Sequence, residues 1–137
     1  MAGGKTTISF AREIATMKKK LLIVDDDVAI ARYLSSVFSN KGYTVDTAAN
    51  AASALGLART KEHDLVVLEV VLDEDDGLDL LEVLKEENPE RPVIILTGVT
   101  PDEGLKQDCE ERGAAGLVSK GNTVEDLLME VKKSVGE

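Results

Sequence analysis

The chain has 137 residues, 43% of them apolar and 31% charged, with a formal net charge of −10. This is the size of one domain with room for a core, and the acid excess argues against direct contact with nucleic acid, whose phosphates need clustered Lys and Arg. Basic protein surfaces suit it better. A single cysteine, Cys109, excludes an intramolecular disulfide, and one Cys with one His leaves no set for a zinc site. No apolar run approaches membrane-spanning length and no N-terminal signal pattern is present, so a cytoplasmic protein is the default expectation.

Residues 1–18 read as an extension separate from the domain at 19–137. Met1 to Lys5 is Gly-rich; from Thr6 to Met17 the spacing of Phe10, Ile14 and Met17 predicts a short helix. Lys20 to Val24 is a compact apolar run ending in Asp25-Asp26-Asp27, the first buried strand. A helix follows with Ile30, Leu34, Val37 and Phe38 on one side, and Gly42 suits the left-handed position after its end. Tyr43 to Thr47 is the second strand. Asn50 can cap a helix that turns Ala51, Ala54, Leu55 and Ala58 inward.

The stretch from His63 to Val71 predicts the third strand. Its apolar run is continuous and β-branched, as in a strand buried on both faces, and it meets a carboxylate, Glu69. The acids Asp73 to Asp76 read as a solvated loop, and His63 as a surface residue. Gly77 opens a helix through Leu78, Leu81 and Leu84 that stops near Asn88-Pro89. Arg91 to Leu96 is the fourth strand, closing on Thr97-Gly98. Pro101 suits the first residue of the next helix, with Leu105 and Cys109 inward and Gly113 at its end. Gly116 to Ser119 is a short fifth strand before Lys120. Thr123 can cap the last helix, whose apolar face is Val124, Leu127, Leu128 and Val131.

Five strands alternating with five helices over short connections dictate an α/β fold, a five-stranded parallel sheet with helices on both faces. All carboxyl ends of a parallel sheet point the same way. Asp25, Asp26, Glu69, Thr97 and Lys120 therefore share one rim, where open α/β sheets place their chemistry. Carboxylates there repel: two charges about 4 Å apart cost roughly 4 kcal/mol at an effective dielectric near 20. A hard divalent cation, the Lys120 ammonium or a raised pKa must compensate. Oxygen-only donors favour magnesium or manganese, and with Thr97 and Lys120 they describe a phosphoryl site.

On these residues the chain resembles a response-regulator receiver domain of two-component signalling, from about Lys19 to the C-terminus. The resemblance rests on Ile23-Val24-Asp25-Asp26-Asp27, Asp64-Leu65-Val66-Val67-Leu68 before the acceptor position, Asp76-Gly77-Leu78, Val93-Ile94-Ile95-Leu96-Thr97 and Ser119-Lys120. It implies a (βα)5 flavodoxin-like fold and a magnesium site carried onto Asp25, Asp26, Glu69 and Val71. It also implies phosphoryl contacts and switching at Thr97, Lys120 and Leu117, a histidine kinase or phosphotransfer protein as donor, and a downstream protein partner reached through the fifth strand and last two helices.

The departures cluster around the same machinery. Glu69 stands where the family has the acceptor Asp, Asp73 where a Pro is usual, Gly98 where an Ala is usual, Leu117 where an aromatic is usual, and Gly121 where a Pro follows the Lys. The extra methylene of Glu lengthens the acceptor by roughly 1.5 Å, and about 1 Å of misplacement can cost on the order of a hundredfold in rate. The expectation is a phosphorylation-independent receiver that is not an enzyme, is a monomer or homodimer, and acts through protein contacts. The alternatives are a competent acceptor bearing an engineered Asp-to-Glu change and a small magnesium-dependent phosphohydrolase.

Overall fold

The computed structural model describes residues 19–136, so the helix expected at 6–17 lies outside the described residues. The strands are β1 (Lys20–Val24), β2 (Thr44–Ala48), β3 (Leu65–Leu68), β4 (Val93–Thr97) and β5 (Gly116–Ser119). The helices are α1 (Val28–Asn40), α2 (Ala51–Thr60), α3 (Gly77–Glu87), α4 (Glu103–Glu111) and α5 (Val124–Val135). Every strand pair is parallel, in the order β2-β1-β3-β4-β5.

Continuous apolar strands make sense once both faces are filled. Leu22, Val24, Val66, Leu68, Val93 and Ile95 pack against Ala54 of α2, the leucines of α3 and Cys109 of α4. The alternate residues, Leu21, Ile23, Leu65, Val67, Ile94 and Leu96, pack against Ala31, Leu34 and Phe38 of α1 and Leu127 and Val131 of α5. Period-two geometry thus sends one apolar run into two cores. Full burial of each such side chain stabilises the fold by about 1.5–3 kcal/mol. None of the helices among the described residues is long and apolar enough to cross a membrane.

Local signals place the boundaries. Asp27, Asn50, Asp76, Asp102 and Thr123 cap the five helices through side-chain oxygens. Gly42 follows α1 at φ 96°, the left-handed position that favours glycine. Two expectations fail here. Pro101 is not the first residue of α4: Asp102 caps that helix, which opens at Glu103, because a carboxylate beside the free amides outcompetes proline's preset φ. His63 is not on the surface. Only 6% of it is exposed, and its ring Nε2 lies 2.7 Å from the Asp46 carboxylate. That contact takes up one nitrogen of the buried ring, and Asp46 lies too far off in sequence for pattern to pair the two.

Candidate functional site

The strand order reverses beside β1, between β1 and β3, and the loops at their carboxyl ends form the rim. β3 ends at Leu68, earlier than the predicted run to Val71, yet the Glu69 amide still donates to the Val24 carbonyl at 2.9 Å. That bond fixes Glu69 beside Asp25, whose own amide bonds the Ala48 carbonyl at 3.0 Å. Lys120 is anchored through its amide to the Thr97 carbonyl at 2.8 Å. Gly77 lets α3 start directly under this loop: its amide bonds the Val70 carbonyl, and a Cβ there would overlap the Val70 backbone.

The rim brings Asp25, Glu69 and Lys120 together. Lys120 Nζ lies 2.7 Å from Asp25 Oδ2 and 3.1 Å from Glu69 Oε1. Both carboxylates are buried, with 3% and 5% of each residue exposed. Two amides complete the cradle of Glu69: Gly98 N–H donates to Oε1 at 3.0 Å and Val71 N–H donates to Oε2 at 3.1 Å. Asp25 Oδ1 accepts from the Asp27 amide at 2.9 Å, while buried Oδ2 lies against the Lys120 ammonium.

Electrostatics follow from burial. Desolvation pushes the Asp25 carboxyl above its usual range, with the Lys120 hydrogen bond opposing. For Lys120 burial pulls downward, but the bonds to Asp25 and Glu69 outweigh it and hold the side chain as an ammonium. Of the three ways to relieve the carboxylate repulsion, the lysine charge carries the load.

The remaining residues lie apart from that triad. Asp26 Oδ2 accepts from the Asp73 amide at 2.9 Å, and the Asp73 carboxyl is raised by its hydrogen bond to Asp26 and by that charge. Thr97 is fully buried, and its hydroxyl accepts from the Val99 amide at 3.3 Å; no hydrogen bond among the described residues joins it to Glu69. Leu117 is half-buried and packs on the core beneath α2, α3 and α4. The acidic loop is more than a solvated loop. Asp76 caps α3, and Asp75 accepts from the Ala51 amide at 2.9 Å, tying the loop to α2. The amides of Gly98 and Val71 are the partners that sequence reasoning missed, since every residue but proline carries an N–H.

The oxygen donors suit magnesium in chemistry but not in arrangement. Both Glu69 oxygens are taken, Asp26 is turned to the Asp73 amide, and among the described residues no three ligating side chains converge on a point that could hold a metal ion. The cradle is instead an oxyanion site, two amides and an ammonium around one carboxylate.

Residues 21–132 match the family model described as the response regulator receiver domain. The chain is 32% identical over 117 residues to the sporulation initiation phosphotransferase F of Bacillus subtilis, covering 85% of this chain and 94% of that protein. It is 31% identical over 113 residues to the transcriptional regulatory protein CusR of Escherichia coli, covering 82% of this chain and 49% of that one. The chain thus spans about half the length of several curated relatives it matches. Among solved structures, a response regulator receiver domain protein from Methanospirillum hungatei superposes with a TM-score of 0.82 at 28% identity, over 87% of this chain and 94% of that one. The response regulator TrrA of Thermotoga maritima, solved in complex with Mg(2+)-BeF, superposes at 0.76 with 28% identity, over 85% and 98%. With the doubly covered parallel sheet, the carboxylate rim and these matches in agreement, the chain belongs to the response regulator receiver domains of two-component systems.

Proposed function

We propose that this chain is a receiver that works without phosphotransfer, its acceptor position filled by a carboxylate already engaged as an anion. The observation that carries this reading is the cradle of Glu69. Its Oε1 accepts from the Gly98 amide at 3.0 Å and lies 3.1 Å from Lys120 Nζ. The Lys is the residue that the family resemblance assigns to the phosphoryl group, and the Glu69 carboxylate already occupies that contact. An in-line attack needs a free carboxylate oxygen facing phosphorus. Here Oε1 accepts from Gly98 N–H beside the Lys120 ammonium and Oε2 accepts from Val71 N–H.

The module acts by protein contact. A histidine kinase or phosphotransfer protein and a downstream partner are the classes the family implies, with β5, α4 and α5 as the output face. The net charge of −10 favours basic partner surfaces over nucleic acid and is consistent with a cytoplasmic setting. The resemblance assigns switching to Thr97 and Leu117; the Thr97 hydroxyl accepts from the Val99 amide, and Leu117 packs on the core.

Incubation with acetyl phosphate and magnesium, followed by intact mass, tests the reading. The expected result is no added phosphoryl group, and a stable phosphoryl on Glu69 overturns it. Restoring the acceptor with Glu69→Asp separates the causes. Labelling of that variant assigns the block to the side-chain length alone, whereas no labelling assigns it also to the changes at Asp73, Gly98, Leu117 and Gly121.

A further inference from the structure

The charges that the rim leaves unexplained lie at the other end of the sheet. His63 precedes β3 and Arg91 precedes β4, so both sit at its amino-terminal end. Both are more than nine-tenths buried, with 6% and 7% exposed, and both line one cavity of about 440 Å³. Arg59, Lys61 and Glu62 line it too.

Partners account for most of these charges. Arg59 is bidentate on Glu87, at 2.9 and 2.6 Å. Lys61 lies 3.7 Å from Asp46, and His63 Nε2 takes the other oxygen of that carboxylate at 2.7 Å. Arg91 differs. Its Nη1 makes one long bond to the Ala58 carbonyl at 3.4 Å, its Nε has no partner, and no carboxylate among the described residues pairs with it. Burial pushes its guanidinium below the usual range, with only the field of Glu87 opposing. His63 Nδ1 is likewise buried without a partner.

A buried guanidinium with its Nε donor unmade and no carboxylate partner among the described residues is costly, and the more so in a chain that has 26 acidic residues from which to draw one. The planar fork of arginine matches a tetrahedral or planar oxyanion better than any other side chain does. The imidazole adds a second polar atom to the same cavity, the buried Nδ1, which has no hydrogen-bond partner.

We propose that the cavity between Arg91 and His63 binds a small oxyanion of the phosphate class, anchored on the Arg91 guanidinium. This site is separate from the Glu69 cradle and does not depend on how that cradle is read.

His63 is the only histidine in the chain, so its ring resonances report on this cavity alone. Inorganic phosphate is titrated into the full chain at constant ionic strength, and a phosphomonoester is titrated in parallel to separate free phosphate from phosphate carried on a larger molecule. The expected result is a saturable shift of the His63 ring, with affinity falling by about tenfold or more in Arg91→Met. Arg91→Lys, which keeps the charge and the fold but loses the fork, gives an intermediate loss. A shift that does not saturate, or the same affinity in Arg91→Lys and the parent chain, overturns the proposal.

Discussion

The two ends of this sheet treat buried charge in opposite ways. At the carboxyl end two buried carboxylates share one ammonium, and backbone amides take up their remaining oxygens. At the amino end a buried guanidinium has a single long bond to a carbonyl and no acid. The first arrangement is closed: each group is needed by another. The second is open, since the cation has no carboxylate partner among the described residues and its Nε has no partner at all. Removing a charge should therefore be costly at one end and nearly free at the other.

The largest effect belongs to Lys120→Met. It strands Asp25 and Glu69 against each other, and leaving a buried charge without its partner costs about 3–5 kcal/mol. Urea unfolding at neutral pH measures it, and a loss below about 1 kcal/mol would mean that the cradle is hydrated and the pair weak.

Next comes Glu69→Gln. Its amide nitrogen must face either the Gly98 or the Val71 amide, donor against donor, at a cost of about 1–3 kcal/mol. Wild-type stability in that variant would show that the two amides do not hold the carboxylate.

A pH titration sharpens the same end. The Asp25 carboxyl is raised above its ordinary 3.8, so the folded state holds this proton longer than the unfolded chain does. Its contribution is fully present below 3.8 and is lost as pH rises through the raised folded value. Asp25→Asn is expected to flatten that fall in urea midpoints above 3.8; an unchanged slope assigns it to another group. Lys120 works at the far end of the scale. Raised above its ordinary 10.5, it gives support that is intact below 10.5 and lost as pH climbs through the higher folded value.

The smallest effect is expected at Arg91→Met. Replacing an unpaired buried cation with an apolar side chain of similar length changes stability by less than about 1 kcal/mol, or raises it. A loss as large as that for Lys120→Met would erase the contrast between the two ends, because it would give Arg91 a structural partner of equal weight.

The sequence by itself determined the architecture. Apolar runs of four or five residues, separated by amphipathic stretches with recognisable caps, leave a parallel sheet covered on both faces as the one arrangement that buries them all. The strand ends then name Asp25, Glu69 and Lys120 as neighbours, since parallel strands deliver their carboxyl ends to one rim. The composition of the acidic loop suggested solvation, whereas Asp75 and Asp76 bond helix termini; residue type reports polarity but not the donor a side chain finds.

Only the tertiary structure decided how the charges pair. Lys120 reaches both buried carboxylates because β5 lies two strands from β3 and its amide is fixed to Thr97. Glu69 is held by the amides of Gly98 and Val71, groups every residue but proline carries and no pattern marks. His63 is buried because Asp46, from a different strand, arrives beside it. Helix and strand periodicity are local properties of the chain. Pairing depends on distances between residues far apart in sequence, and those are set when the two cores close.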